Sequence, residues 1–311
     1  MSIDRALELA AGANGRAYPK PTIGAVVVAD GAVVGEGATE PAGRHGEIVA
    51  LEAAGERARG ATLYVTMEPC VHHGSTPPCV DALLAAGIAR VVAGSLDPNP
   101  KAGGGLARLR EQGVETELAD SFEARRQNEA WRMWVSLGRP FVTYKAAITL
   151  DGRVTVPGER WVSGEASRRL VHELRAAADA VAVGMGTVRL DNPRLDARDV
   201  DARRQPRRLA FGTGPLPDGS ELELRSGPLE AEMRELAGDG VQSLLLEGGP
   251  TLAGAFLDAG LVDKLLLFVA PKLAGDGPLL LPALDRSRGL TQLTSRSVGD
   301  DVLLEAYLRE P

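Results

Sequence analysis

Three short segments of the sequence carry residues that together form the ligand set of a catalytic zinc site. They are His45-Gly46-Glu47, Pro69-Cys70 and Pro78-Cys79. One imidazole and two thiolates give Zn²⁺ three protein ligands and leave the fourth tetrahedral position open, which is typical of a catalytic site. Segments that are far apart in the chain must then meet at one point, so this ligand set strongly constrains the fold.

Glu47 is not needed as a ligand, and its carboxylate is free for acid/base chemistry. Zinc lowers the pKa of a bound water towards neutrality, and a carboxylate within reach can take that proton and deliver it to a departing amine. The pattern therefore predicts hydrolytic deamination of a nitrogen heterocycle. In this interpretation His45, Cys70 and Cys79 hold the metal and Glu47 is the catalytic residue.

The alternative interpretation is structural, with two buried cysteines that happen to follow prolines and a surface histidine. Cys70 and Cys79 are the only cysteines of the chain, and a disulfide between them would need an oxidising compartment. The first ten residues include charged side chains and are typical of an amphipathic helix rather than of a signal peptide. We therefore expect reduced thiols and a cytoplasmic protein.

Length and charge narrow the class of protein and of partner. A chain of 311 residues predicts two domains. A net charge of −7 argues against a general nucleic-acid surface or a polybasic membrane surface, although one phosphate pocket is still permitted. The sequence lacks an apolar run near the roughly 20 residues that span a bilayer. We expect a small-molecule partner and neither nucleic acid nor membrane.

Hydrophobic periodicity predicts an α/β protein in both halves of the chain. In the first half, we predict strands at 23–29, 32–35, 61–66 and 90–95 and helices at 47–58, 80–86, 106–112 and 122–137. In the second half, we predict strands at 141–148 and 180–184, a helix from an N-cap at Ser163 to about residue 178, and a loop at 191–207. Segments 208–211, 229–236, 243–246, 252–259 and 264–269 continue the alternation. The breaker cluster at 138–140 predicts domains at 1–138 and 139–311.

Residues 67–79 (Met-Glu-Pro-Cys-Val-His-His-Gly-Ser-Thr-Pro-Pro-Cys) resemble the deaminase half of the bifunctional riboflavin-biosynthesis deaminase/reductase family. The interval between the two cysteines is longer than is usual in the wider cytidine-deaminase group, and Asp97-Pro98-Asn99-Pro100 fits the same family. His72, His73, Asp97 and Asn99 are candidate substrate contacts, with solvated loop and turn-forming roles as the alternatives. Two residues depart from the family pattern. Gly46 replaces the usual Ala, and Lys20 replaces a common Asn.

The second half resembles the reductase half of the same family. The matching segments are 149–153 (Thr-Leu-Asp-Gly-Arg), 160–163 (Arg-Trp-Val-Ser), 184–188 (Gly-Met-Gly-Thr-Val), 191–193 (Asp-Asn-Pro) and 246–252 (Leu-Glu-Gly-Gly-Pro-Thr-Leu). In the last segment a strand ends in two glycines and a helix begins, so backbone N–H groups can face an anion at the helix N-terminus. The stretch between Thr213 and Glu247 is shorter than is usual in the family.

The resemblance implies roles for residues of the reductase half. Those implied to bind the nicotinamide cofactor are Trp161, Thr187, Asp191, Thr213, Gly248, Gly249 and Thr251. Those implied to bind substrate are Arg175, Leu195, Arg198 and Glu247. Lys145 and Asp191 are implied to act catalytically at the reacting sugar. Each also has a plain structural role as its alternative, such as a turn residue or a solvated helix charge.

The resemblance covers nearly the whole chain and implies two three-layer α/β domains, cytidine-deaminase-like followed by dihydrofolate-reductase-like. The first is expected to use Zn²⁺ to deaminate a phosphoribosylated diaminopyrimidinone. The second is expected to use NADPH to reduce the ribosyl group to ribityl. A dimer or tetramer of identical chains is expected. The alternatives are a nucleic-acid-editing deaminase, and a stand-alone pyrimidine deaminase whose C-terminal domain binds a ligand without catalysis.

Overall fold

The computed structural model describes residues 2–13, 17–41, 43–74 and 77–311. Ser75 and Thr76 of the cysteine motif lie outside this range. The chain divides into two compact units, of which the first ends at Leu137 and the second begins at Gly138. Among the described residues, none of the helices is both long enough and apolar enough to cross a membrane.

The first unit alternates strands and helices. Its strands are β1 (Gly24–Ala29), β2 (Ala32–Ala38), β3 (Thr62–Val65), β4 (Arg90–Ala93) and β5 (Glu115–Leu118). Its helices are α1 (Ser2–Ala13), α2 (Gly46–Ala54), α3 (Cys79–Ala86), α4 (Gly105–Glu111), α5 (Phe122–Arg126) and α6 (Glu129–Leu137), and a 3₁₀ turn at Gly55–Ala58 extends α2. The strands form one sheet in the order β2-β1-β3-β4-β5, antiparallel at the β2-β1-β3 end and parallel from β3 to β5.

Helices cover both faces of this sheet at very short range. A Cβ added to Gly24 of β1 would lie 1.9 Å from the carbonyl oxygen of Ala6 on α1. A Cβ added to Gly37 would lie 2.4 Å from the carbonyl oxygen of Gly46 on α2. Gly37 pairs with Ala25, the neighbour of Gly24, and neighbouring residues of a strand point to opposite faces. The unit is therefore three-layered, and glycines allow the helices to pack against the strands.

The second unit contains a larger sheet. Its strands are β6 (Phe141–Thr149), β7 (Ala180–Gly184), β8 (Arg207–Phe211), β9 (Glu223–Arg225), β10 (Ser243–Leu246), β11 (Lys264–Ala270), β12 (Thr291–Val298) and β13 (Asp301–Tyr307). Its helices are α7 (Glu165–Ala177), α8 (Met185–Asp191), α9 (Leu229–Gly238) and α10 (Pro250–Asp258). The strand order is β12-β13-β11-β6-β10-β7-β8-β9.

The strands from β11 to β9 in this order run parallel to their neighbours. Their carboxyl ends therefore lie at one edge of the sheet, which is where ligands bind in open α/β sheets. Segments 184–188, 212–213 and 247–251 follow β7, β8 and β10 at this edge. Aliphatic residues of β7 and β10 are fully buried, as is expected for strands covered on both faces.

Most predicted elements are present, with three differences. The predicted helix 122–137 is interrupted between Arg126 and Glu129. Ser163 is not the N-cap of α7, because Gly164 takes that position and its N–H is bound by the buried Asp301 carboxylate at 2.8 Å. The short helix α8 and the strands β5, β9, β12 and β13 are not predicted from the sequence. β12 is exposed along almost its whole length, so it lacks the apolar signal that identifies a strand.

Candidate active sites

The predicted metal ligands lie together in the first unit. The His45 Nδ1 atom is 3.1 Å from Cys79 Sγ and 3.7 Å from Cys70 Sγ, and the three ligand atoms all lie within 4.8 Å of one another. In a tetrahedral zinc site, a nitrogen and a sulfur at their usual bond lengths are about 3.6 Å apart. The cluster therefore has the spacing of a zinc site, and Nδ1 is the imidazole atom that faces the metal position.

Two helix starts and one loop bring these ligands together. His45 is the N-cap of α2, and Cys79 is the first residue of α3. Cys70 lies in the loop after β3, where its Sγ accepts a hydrogen bond from the Cys79 backbone N–H at 3.4 Å. Helix N-termini carry partial positive charge, which stabilises thiolates.

The protonation of the two thiols supports a divalent cation at this position. Hydrogen bonding from Cys79, together with His45, lowers the pKa of the Cys70 thiol to about 4, against the opposing effect of burial. The contact with Cys70 raises the pKa of Cys79, and burial raises it further. The first thiolate forms easily and opposes the second, so a cation is needed to balance two thiolates in this site. The donor set therefore fits Zn²⁺.

Glu47 lies two residues after His45 in the chain, and its side chain is buried in the same site. Burial raises the pKa of its carboxyl, while the nearby His45 charge opposes this effect. Its Oε2 atom is buried and accepts no hydrogen bond from the described residues. A buried carboxyl oxygen without a partner is costly in a structural role. It is suited to exchange a proton with a group that enters the site.

A cavity of about 430 Å³ leads to this cluster. Its lining residues include the candidate contacts His72, Asp97 and Asn99, whereas His73 is exposed. Burial raises the pKa of Asp97 to about 6, with the charge of Glu68 adding to the effect. Asp97 and Asn99 also form the turn that was their alternative role, since Asp97 Oδ1 accepts the Asn99 N–H at 2.8 Å. These two residues therefore serve the turn and the cavity wall together.

Glu68 and Gly46 have structural roles that the sequence analysis missed. The Glu68 carboxylate accepts backbone N–H bonds from Leu106 at 3.0 Å and from Asp97 at 3.3 Å, which joins the loops at the cavity wall. A Cβ added to Gly46 would lie 2.5 Å from the Ile23 carbonyl oxygen. Gly46, where the family usually has Ala, therefore allows α2 to pack closely beside Ile23 in this chain.

A charged cluster of the second unit is centred on Glu247, directly after β10. Its carboxylate accepts Arg175 Nε at 2.6 Å and Nη2 at 3.0 Å, and Lys145 Nζ lies 3.4 Å away. Burial raises the pKa of Glu247, but the Lys145 and Arg175 charges outweigh this effect and lower it to about 2. The geometry joins three predicted residues from α7, β6 and β10 into one buried ionic group.

A second set of contacts places the loop after α8 beside this group. The Asp196 carbonyl oxygen accepts Arg175 Nη1 at 3.2 Å and also contacts His172 Nδ1 at 3.2 Å. Arg198 is half-exposed, with its Nη1 atom 2.7 Å from the Asp196 carboxylate. Leu195 has a positive φ of 54° and its side chain is buried in the core. The Leu195 side chain therefore belongs to the core of the second unit.

The glycine turn after β10 has the geometry that the sequence predicts. Gly249 is the N-cap of α10, and Pro250 is the first residue of the helix. Thr187 of α8 faces this turn, because a Cβ added to Gly249 would lie 3.8 Å from Thr187 Oγ1. Three further predicted residues are exposed and follow strands β7, β8 and β10 in the chain, namely Asp191, Thr213 and Thr251. The Thr213 carbonyl oxygen accepts a hydrogen bond from Arg189 at 2.7 Å.

Trp161 lies apart from these residues in a cavity of about 430 Å³. The described lining residues of this cavity include none of the other predicted cofactor residues. The Trp161 ring is 48% exposed, with the Arg160 and Arg168 guanidinium groups 4.9 and 5.4 Å from its centroid. An exposed ring among cations can stack against a planar anionic group.

Protein families match both units of the chain. The family described as the cytidine and deoxycytidylate deaminase zinc-binding region matches residues 2–95, and the RibD C-terminal domain family matches residues 140–304. The chain is 42% identical to the riboflavin biosynthesis protein RibD of Mycobacterium tuberculosis, over 99% of this chain and 98% of that one.

The fold of this chain is also similar to that of solved structures. RibD of Acinetobacter baumannii superposes with a TM-score of 0.84 at 31% identity, covering 98% of this chain and 97% of that one. The diaminohydroxyphosphoribosylaminopyrimidine deaminase/5-amino-6-(5-phosphoribosylamino)uracil reductase of Thermotoga maritima has a TM-score of 0.82 at 33% identity, with the same coverage. The predicted fold class is confirmed, with a deaminase-like domain followed by a reductase-like domain. The chain therefore belongs to the RibD family and is a bifunctional deaminase/reductase of riboflavin biosynthesis that uses zinc and NADPH.

Proposed function

We propose that His45, Cys70 and Cys79 hold the zinc ion and that Glu47 moves the proton in the deamination of 2,5-diamino-6-(5-phosphoribosylamino)pyrimidin-4-one. When bound, zinc would supply Lewis-acid activation of water. The Glu47 carboxyl, whose buried Oε2 has no hydrogen-bond partner among the described residues, would carry a proton from the attacking water to the departing amine. The observation that carries the proposal is the convergence of one imidazole, two thiols and this carboxyl at the end of one cavity.

In the second unit, we propose that Lys145 and Asp191 act at the ribosyl group while Glu247 holds Lys145 in place. NADPH supplies the hydride. The Glu247 carboxylate directs the Lys145 ammonium, so that Lys145 can donate a proton to the ring oxygen of the sugar as that ring opens. We assign substrate binding to Arg175, Leu195, Arg198 and Glu247. Arg198 is the better candidate for the phosphate, because its side chain is half-exposed whereas Arg175 is largely buried in its ion pair with Glu247.

We assign the cofactor to the edge formed by Thr187, Thr213, Asp191 and the turn at Gly248, Gly249 and Thr251, with Trp161 as a further contact. The parallel strands place these segments at their carboxyl ends. The N-terminus of α10 can receive a cofactor phosphate, because backbone N–H groups and the helix dipole favour an anion there.

The two activities can be tested separately on the purified protein. We expect about one zinc per chain, ammonia release without NADPH, and NADPH oxidation only with deaminated substrate. Removal of the metal by a chelator should stop ammonia release and leave reduction of the deaminated substrate in place. Absence of ammonia release from the zinc-loaded protein would refute the deaminase assignment.

Gly249→Ala tests the cofactor site without disturbing the fold. The φ of Gly249 is −66° and an added Cβ meets only Thr187 Oγ1, at 3.8 Å, so we expect the melting temperature to stay within about 2 °C. The methyl group would occupy the space where a phosphate approaches the helix. We therefore expect the KM for NADPH to rise about tenfold or more, measured by NADPH oxidation.

Gly238→Ala is the matched control, because it adds the same methyl group to α9 in open space. It should leave the KM for NADPH unchanged. Equal KM values for the Gly249→Ala variant and the wild type would mean that the cofactor phosphates bind elsewhere.

We further propose domains at 1–138 and 139–311, a cytoplasmic location and a dimer or tetramer. The reduced thiols of Cys70 and Cys79 favour the location. The exposed edge strand β12 favours self-association, because its unpaired backbone edge can continue a sheet. Light scattering coupled to size exclusion determines the oligomeric state.

A further inference from the structure

Lys20 is the cation in the wall of the deaminase cavity within the described part of the chain. The cavity is otherwise lined by neutral residues, by the histidines His45 and His72, and by the carboxyl groups of Glu47, Glu68 and Asp97. The carboxyl groups of this wall disfavour a phosphate, whereas the Lys20 ammonium carries a positive charge that attracts one.

Lys20 is an exposed residue of the cavity wall. By contrast, Glu47 and Cys79 at the metal end are 3% and 0% exposed. The Lys20 Nζ atom lies beside Gly43, 3.1 Å from where a Cβ on that residue would be. In the proposed reaction the ring amine must reach Glu47, so the ribose phosphate extends away from the metal and towards the exposed end.

The backbone around Lys20 is fixed on both sides. Its N–H donates to the Ala17 carbonyl at 2.9 Å. Two residues later, the Thr22 N–H and carbonyl are bound by the buried side-chain amide of Asn128 at 2.9 and 3.0 Å. Less backbone freedom is therefore lost when the Lys20 ammonium engages a ligand.

We propose that the Lys20 ammonium binds the 5′-phosphate of the substrate in the deaminase cavity. This inference rests on the proposed deaminase activity and adds a residue that selects phosphorylated over unphosphorylated substrate. A lysine ammonium is a compact point charge with three donors, which suits a phosphate at a partly exposed site.

The test compares Lys20→Met with the wild type on two substrates, the phosphorylated compound and its dephosphorylated riboside. With the phosphorylated substrate, we expect the KM for ammonia release to rise about tenfold while kcat stays within about twofold, as for loss of one charge-assisted contact remote from the chemistry. With the riboside, Lys20→Met should match the wild type. Lys20→Arg should restore most of the KM.

Lys101→Met is the matched control, since Lys101 is an exposed lysine of the same unit that does not line the cavity. Zinc content and melting temperature show that each variant is folded. An equal rise of KM with both substrates would show that Lys20 contacts the ring or the sugar. An unchanged KM with the phosphorylated substrate would show that Lys20 does not bind the phosphate. Both outcomes overturn the proposal, whereas an inactive wild type would overturn the deaminase assignment itself.

Discussion

Glu47→Gln is expected to retain zinc and to lose ammonia release by a factor of roughly 10² to 10⁴, the usual contribution of a positioned acid/base group. The amide has nearly the shape of the carboxyl but cannot take up or deliver the proton. Because Glu47 is buried beside the cluster without being one of its ligand atoms, the metal should stay bound. Zinc analysis and an ammonia assay on the same preparation measure both quantities.

Cys79→Ser gives the contrasting result. It removes a fully buried thiol ligand, so zinc content and ammonia release should fall together. In both variants, NADPH oxidation with deaminated substrate should stay near the wild-type rate. Full deamination by Glu47→Gln would exclude Glu47 as the proton shuttle.

Glu247→Ala is expected to lower the free energy of unfolding of the second unit by about 3 to 5 kcal/mol, because it leaves the partly buried Lys145 and Arg175 without their counter-charge. The rate of NADPH oxidation should fall by on the order of 10²-fold as Lys145 loses its position. Chemical denaturation and steady-state kinetics measure the two effects. Glu235→Ala is the control, since Glu235 is 62% exposed and pairs at the surface, where a pair contributes less than about 1 kcal/mol.

The same carboxylate predicts a pH dependence of stability. The folded-state pKa of Glu247, about 2, lies below its ordinary value of 4.5. Its contribution to stability is therefore fully present above about pH 4.5 and is lost as the pH falls towards 2. Glu247→Gln should be less stable than the wild type at pH 6, and this difference should shrink as the pH falls below 4.5. A difference independent of pH would show that the charge of Glu247 is not what stabilises the unit.

The cluster of His45, Cys70 and Cys79 that could hold a metal ion was predictable from the sequence. Each ligand type has a narrow chemistry, and His45, Glu47 and Cys79 stand at helix starts that local patterns mark. The reductase site could be predicted only as a set of segments. Neither periodicity nor motif indicates that Arg175 binds Glu247 rather than solvent, because these residues are 72 positions apart.

Segment 149–153 is a second example of contacts that the sequence does not predict. The sequence associates it with the reductase, but the structure gives it a clamping role. The Asp151 carboxylate accepts the backbone N–H groups of Ala274 and Gly275, and the Arg153 guanidinium donates to the Gly277 carbonyl at 2.7 Å. These bonds hold a loop more than a hundred residues away in the chain, so spacing within the motif carries no information about them.

The sequence by itself determined the alternation of strands and helices and the choice of His45, Cys70 and Cys79 as candidate metal ligands, because these depend on residue type and on neighbours along the chain. Only the tertiary structure decided which charges are partners, why Gly46 has no room for a side chain, and that Lys20 faces the deaminase cavity. The physical reason is the distance along the chain over which each effect acts. Propensity and capping act over a few residues, whereas ion pairing, desolvation and close packing depend on distances that exist only after the sheets have formed.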